Sequence, residues 1–130
     1  MNIGTLIFDL SIRVSHHLSF KLQIEFVYYD MFIAMNRFKI VLGKEKEFEE
    51  VWINRDTHLK DVTGFKEFHL IKGDTNDEHT LYASHSIWNS KNDFINWTKS
   101  EAFRLAHKNS GQHKGLYLGH PNFEGFEVVL

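Results

Sequence analysis

The sequence contains no cysteine. This absence excludes a disulfide framework, a zinc site built on thiolates, an iron–sulfur cluster and a cysteine nucleophile. Basic residues are not in excess either, because 15 Lys and Arg stand against 17 Asp and Glu, for a formal net charge of -2. Such a balance leaves no surplus of positive charge to neutralise a phosphate backbone, which argues against nucleic acid as a partner.

Long hydrophobic runs are also missing. No window of the sequence approaches the roughly 20 apolar residues that span a bilayer. Residues 1–30 have apolar clusters around a polar middle, without the continuous apolar run and small-residue cleavage site of a signal peptide. We therefore expect a soluble, cytoplasmic protein without a membrane partner. The segment 1–30 is an N-terminal extension of open role, either a strand-like arm or a stretch translated from a misplaced start before Met31.

Aromatic residues and histidine are plentiful. The chain of 130 residues has 42% hydrophobic residues, including 12 Phe, and it has nine His. This length and composition are typical of one globular domain with a single core. Neutral histidine readily ligates heme iron, zinc and copper, so a metal or heme site is a reasonable hypothesis.

From Met31 onward, strand and helix patterns follow each other regularly. Period-two alternation indicates strands, apolar residues spaced by three and four indicate helices, and Ser90 and Ser100 have the pattern of helix caps. The predicted elements are a strand at 31–41, a helix at 44–59, strands at 65–72 and 80–88 joined by a hairpin loop at 73–77, short helices after Ser90 and Ser100, a loop at 111–121 and a strand at 123–130.

The order strand, helix, strand, strand, helix, strand predicts an α+β, ferredoxin-like split βαβ domain over residues 31–130. In this fold the helices cover one face of an antiparallel sheet. The other face then needs cover, and a single domain of this size has no further element to supply it. We therefore predict a homodimer in which two sheets pair across a two-fold axis, as a dimeric α/β barrel.

Three residues could carry chemistry. His107 follows Phe103 by four residues, so both project from one helical face, and His107 could ligate iron or be a solvated histidine at a helix C-terminus. Asn36 shares a strand face with apolar residues and could either satisfy backbone groups in the core or donate to an oxygen bound on iron. Trp88 ends a strand and could fill the core or press on a flat ligand.

Three separated segments resemble the IsdG-type heme-degrading monooxygenases of the antibiotic biosynthesis monooxygenase (ABM) superfamily, and within it the HmuQ/HmuD branch. They are FIAMNRF at 32–38, SIWNSKNDFINWTKSEAFRLAHK at 86–108 and FEGFEVV at 123–129. The resemblance extends over essentially all of residues 31–130 and leaves 1–30 unmatched.

This resemblance implies that heme is both substrate and cofactor. Dioxygen (O2) and electrons from an external donor, a reductase, would open the porphyrin ring to a bilin and release the iron. The resemblance makes His107 the proximal ligand of the heme iron, Asn36 the residue that hydrogen-bonds the distal ligand, and Trp88 the residue that presses the porphyrin out of plane. Arg55 would face the propionates, and Phe103 would line the heme site beside His107.

Two other functions remain open at this point. The chain could be a cofactor-free monooxygenase of the same superfamily that oxidises a polyketide or quinol. It could also be a non-catalytic heme carrier on the same scaffold. Because a scaffold alone does not determine chemistry, the choice among the three depends on the residues of the site.

Overall fold

A computed structural model describes residues 30–130, and the proposed extension lies outside this range except for its last residue. Four strands form an antiparallel sheet in the order β2-β3-β1-β4, with the helices on one face. This is the predicted ferredoxin-like α+β fold. The elements are β1 (Phe32–Val41), α1 (Glu45–Ile53), β2 (Phe65–Thr75), β3 (His79–Trp88), α2 (Lys91–Thr98), α3 (Glu101–His107), a 3-10 helix (Ser110–Leu116) and β4 (Asn122–Glu127).

The central strand β1 has the predicted alternation. Phe32, Ala34 and Phe38 are buried on the face that the helices cover, and Asn36 lies between them on the same face. Both neighbouring strands pair with β1 in antiparallel register, so each position of β1 has a side chain of β3 beside it. This placement puts the Asn36 amide in the middle of the sheet, under the helices.

The first helix is shorter than the sequence pattern predicts. The pattern extends to Leu59, but α1 ends at Ile53 and the chain turns at Asp56, whose carboxylate accepts a hydrogen bond from the His58 amide at 2.8 Å. His58 has a positive φ of 53°, which a helix does not contain. Leu59 is nevertheless 4% exposed, because the loop after α1 folds it back into the core.

Other boundaries also move. Strand β2 continues to Thr75 and β3 starts at His79. The connecting loop is therefore 76–78, shorter than the predicted 73–77 and shifted toward the C-terminus. The predicted loop at 111–121 contains most of a 3-10 helix, because Leu116 is buried in the core and holds this segment against the sheet. Strand β4 ends at Glu127, three residues before the predicted end.

Both predicted helix caps are present. The Ser90 hydroxyl oxygen accepts a hydrogen bond from the Asp93 amide at 3.1 Å, at the start of α2. The Ser100 hydroxyl oxygen accepts one from the Phe103 amide at 3.2 Å, at the start of α3. Each cap is worth about 1 kcal/mol, and together they fix the sharp turn that orients α3.

The core consists of two clusters between the sheet and the helices. One is built around Phe38, Phe48 and Tyr82, and the other around Phe32 and Trp88. The opposite face of the sheet carries other side chains of the same strands, with no helix over it within residues 30–130. No helix in this range has the length and apolar character needed to cross a bilayer.

Candidate active site

A cavity of about 900 Å³ lies between the sheet and the helices. Its size is at the upper end of the roughly 300–1,000 Å³ of typical small-molecule sites. Most of its wall is apolar and aromatic, with polar side chains at a few positions. Of the residues singled out from the sequence, Asn36, Arg55, Phe103 and His107 line this cavity, so the fold brings together residues from the first strand, the loop after α1 and the end of α3.

His107 is held in one orientation by its own helix. Its Nδ1 atom lies 2.8 Å from the carbonyl oxygen of Phe103, one turn earlier. A carbonyl can only accept, so Nδ1 carries the hydrogen and donates it. In the neutral imidazole the lone pair then belongs to Nε2, which is the arrangement that a metal ligand requires.

Aromatic rings support the His107 imidazole. The Phe103 ring stacks on it at a centroid distance of 4.1 Å and an angle of 27°. The Trp97 ring lies 6.0 Å from it and meets Phe103 edge-on at 4.8 Å. Phe103 and Trp97 therefore restrict the swing of His107 and form an aromatic wall beside it.

Asn36 supplies a polar group on the sheet side of the cavity. Its side chain is half-buried and makes no hydrogen bond to any residue in the described range 30–130. Its partner in the β1–β3 register is Ser84, which also lines the cavity. An unpaired amide beside a hydroxyl can donate to an oxygen atom of a bound ligand.

Arg55 lines the cavity from the loop after α1. Its guanidinium carbon lies 4.4 Å from the centroid of the Trp52 ring, a cation–π contact. Within the part of the chain that the structure describes, Arg55 has no carboxylate partner. Its positive charge is therefore available to an anionic ligand.

Trp88 does not line the cavity. It is 0% exposed, and its indole N–H donates to the Ser86 hydroxyl oxygen at 2.9 Å. The Trp97 ring packs against it at a centroid distance of 5.2 Å and lines the cavity itself. Contact between Trp88 and a bound ring, as the sequence resemblance implies, is therefore not supported by this geometry, because Trp88 lies in the core behind the cavity wall.

Trp97 is the residue that the sequence reasoning missed as a site residue. Its position on one side of a short helix with Phe94 indicated only a core role. One signal could have found it: Trp97 lies ten positions before His107, across a capped turn that folds α3 back against α2. Its buried indole N–H has no partner within residues 30–130, unlike that of Trp88.

Carboxylates and metal-ligand clusters are absent from the described part of the site. Among residues 30–130, no Asp or Glu lines the cavity. No group of three or more His, Asp or Glu side chains in that range is arranged to hold a metal ion. A metal in this cavity would therefore fit best inside a cofactor that supplies most of its own ligands, and heme iron, which needs one axial imidazole such as that of His107, fits in this respect.

The chain is similar to known proteins. A curated relative, the staphylobilin-producing heme oxygenase of Staphylococcus epidermidis, is 28% identical over 82 residues, which cover 63% of this chain and 78% of that protein.

Solved structures share the fold. The heme-degrader MhuD from Mycobacterium tuberculosis, with two hemes bound in its active site, is 23% identical with a TM-score of 0.58, covering 76% of this chain and 96% of that chain. SnoaB, a cofactor-independent oxygenase from Streptomyces nogalater, is 19% identical with a TM-score of 0.56, covering 78% of this chain and 95% of that chain.

The family model for antibiotic biosynthesis monooxygenase matches residues 31–109. This range covers β1 through α3 and contains Asn36, Arg55, Phe103 and His107. The sequence resemblance is thus confirmed at the level of the family: the chain belongs to the antibiotic biosynthesis monooxygenases.

Proposed function

We propose that this monooxygenase binds heme as both substrate and cofactor and degrades it with O2 and external electrons to a bilin, releasing the iron. The observation that carries the proposal is the His107 imidazole, whose Nε2 has no hydrogen-bond partner among residues 30–130 and lies at the wall of a large apolar cavity. Bound heme would supply the iron that activates O2 and the ring carbon that is oxidised. The similarity to the staphylobilin-producing heme oxygenase supports the same function.

His107 is the proposed iron ligand. The Phe103 carbonyl accepts the Nδ1 hydrogen, which fixes the tautomer and the ring plane. Phe103 stacks on the imidazole and so limits its rotation toward solvent. Both residues lie on α3, so the orientation of the ligand depends on the Ser100 cap and the turn before it.

Asn36 is proposed to orient the distal ligand. A neutral amide can donate a hydrogen bond to a bound ligand without delivering a proton, whereas a carboxylic acid at this position could deliver one. The absence of Asp and Glu from the cavity wall within residues 30–130 agrees with this role. Ser84 is the β3 partner of Asn36 in the strand register, and its hydroxyl could donate a hydrogen bond to the same ligand atom.

We assign the tryptophan that contacts the porphyrin to Trp97 rather than Trp88. Trp97 lines the cavity beside His107, and its ring rests on buried Trp88, which gives it a firm backing. A rigid aromatic ring in this place can press on one part of a flat ligand and bend it out of plane. Arg55 is proposed to face the propionates, with its guanidinium above Trp52.

A homodimer and a reductase complete the proposal. Ile33 of β1 lies in register between Ile87 and Phe126 of the flanking strands, so the three form an apolar row on the sheet face opposite the helices. Phe126 is 43% exposed. A second sheet packed on this row would cover it. The external electron donor would approach the open side of the cavity.

Heme titration tests the proposal directly. Purified protein should bind hemin with a Soret band that is strongly altered in His107→Ala and unchanged in His69→Ala, since His69 is exposed on the other face of the sheet. Loss of a group that only supports a metal ligand typically costs about 10–100-fold in affinity, so loss of the ligand itself should cost at least as much. An unaltered spectrum in His107→Ala would remove His107 as the ligand.

Turnover distinguishes the proposed reaction from its two alternatives. With ascorbate or a reductase under air, the Soret band should bleach while a bilin absorbance appears, and Asn36→Ala should slow this change. A heme carrier would keep the band intact under the same conditions. A cofactor-free monooxygenase, which the likeness to SnoaB keeps as a second candidate, would bind no hemin and would consume O2 with a polyketide or quinol alone.

A further inference from the structure

The charged side chains of the cavity wall are of one sign. Within residues 30–130 they are Arg55 and Lys114, with His107 and His120 as titratable groups, and no Asp or Glu is among them. The whole sequence has more acidic than basic residues, 17 against 15. The cavity therefore departs from the charge balance of the chain in the direction that favours an anionic ligand.

Arg55, Lys114 and Tyr117 all line the cavity. Burial raises the pKa of the Tyr117 phenol, and the positive charge of Arg55 opposes this rise. The Lys114 carbonyl accepts a hydrogen bond from the Tyr117 amide at 3.3 Å, so Lys114 lies one 3-10 turn before that residue.

Among residues 30–130, no carboxylate neutralises either cation. Arg55 is half-buried and Lys114 is exposed, and neither forms an ion pair within the described residues. Charged groups that leave water normally have a partner. The half-buried guanidinium can therefore pair with a negative charge on a ligand in the cavity.

We propose that Arg55 and Lys114 together form a carboxylate-docking site that selects a flat apolar ligand carrying two carboxylates. Resting on the proposed function, the inference identifies these carboxylates as the two propionates of heme and adds Lys114 to the residues that bind them. Tyr117, which also lines the cavity, can donate its hydroxyl hydrogen to the same group. The docking site would determine which edge of the porphyrin faces outward.

The test compares a dicarboxylate with its diester. Metal-free protoporphyrin and its dimethyl ester, added from the same carrier solvent, are titrated against the full chain, and binding is followed by quenching of tryptophan fluorescence. The dicarboxylate should bind more tightly to the wild type, and this preference should decrease as salt shortens the range of the charge interaction. Lys114→Met should weaken binding of the dicarboxylate by about 3–10-fold, the range for one partly exposed charged contact.

Controls separate the charge from the fold. Lys91→Met removes an exposed lysine from the start of α2, away from the cavity wall, and should leave both affinities unchanged. Lys114→Arg should restore the preference for the dicarboxylate. The loss in Lys114→Met should vanish with the diester, because the variant and the ester remove opposite ends of one interaction. An equal loss with both porphyrins would overturn the proposal.

The outcomes for the docking site and for the proposed function are distinct. If the wild type binds hemin and degrades it but does not distinguish the dicarboxylate from the diester, the docking site is wrong and the function stands. If the dicarboxylate preference depends on Lys114 while heme stays intact under reductant and O2, the docking site is supported and the degradation is wrong. A wild type that binds neither hemin nor metal-free protoporphyrin contradicts both.

Discussion

Trp88 and Trp97 pack against each other but have different surroundings. Replacing each with Phe should therefore affect stability and turnover in opposite ways. Trp88→Phe removes a fully buried indole and its hydrogen bond to Ser86, and it leaves a void beside Trp97. The lost hydrogen bond is worth about 1 kcal/mol and the void adds a similar amount, so we expect a loss of about 2 kcal/mol in the free energy of unfolding. The heme spectrum should change little, because Trp88 lies behind the cavity wall.

Trp97→Phe should have the reverse effect. Its buried indole N–H has no partner within residues 30–130, so replacing it with an apolar ring removes an unsatisfied donor and should cost about 1 kcal/mol or less. Bound heme, however, would lose the larger ring beside His107. We expect bilin formation to slow by about tenfold, which corresponds to about 1.4 kcal/mol of transition-state stabilisation.

Two measurements check this pair. Urea unfolding of the heme-free variants gives the stability losses, and single-turnover bleaching of bound heme gives the rates. The reasoning is refuted if Trp97→Phe destabilises the protein more than Trp88→Phe does, or if Trp88→Phe slows turnover while Trp97→Phe leaves it unchanged. The second result would return the contact with the porphyrin to Trp88 and would require the cavity wall to open when heme binds.

Two further predictions concern stability and assembly. Burial and the hydrogen bond to Glu49 raise the pKa of Tyr82, so its contribution to stability is complete below about pH 10 and is lost as the pH rises above it, because the unfolded chain gives up its proton first. Urea unfolding is measured from about pH 8 to about pH 12, on either side of the ordinary tyrosine pKa of about 10. The free energy of unfolding should fall less with rising pH in Tyr82→Phe than in the wild type. An identical fall would contradict this account. Phe126→Glu places a charge in the apolar row on the open sheet face and should convert the proposed dimer to a monomer in sedimentation velocity, whereas a monomeric wild type would rule the dimer out.

Local signals in the sequence were sufficient for most of the fold. The alternation in β1 placed Phe32, Ala34 and Phe38 correctly in the core, and the caps at Ser90 and Ser100 located the starts of two short helices. These patterns depend on neighbours within a few residues. The ferredoxin-like order of elements followed from them.

The structure differs from the sequence prediction where contacts between residues far apart in the sequence determine the local conformation. Leu59 has helical spacing from Trp52 and Arg55, but the turn at Asp56 carries it into the core without a helix. The 3-10 helix forms in a segment with two glycines because Leu116 packs against the sheet.

The candidate site shows the same division. Asn36 and His107 could be identified from resemblance and strand pattern, whereas the contrast between Trp88 and Trp97 could not. Both tryptophans fit an apolar face. Only the packing of α2 on the sheet determines that Trp97 lies at the cavity and Trp88 lies behind it.

The cavity draws its walls from opposite ends of the domain, with Asn36 on the first strand and His107 on the last α-helix. An unfolded or truncated chain cannot assemble it, so any ligand bound there adds its binding free energy to the stability of the native state. A ligand at about one hundred times its dissociation constant would add about 2.7 kcal/mol. Occupied molecules would therefore outlast empty ones under heat or proteolysis, and the supply of ligand would govern the lifetime of the protein.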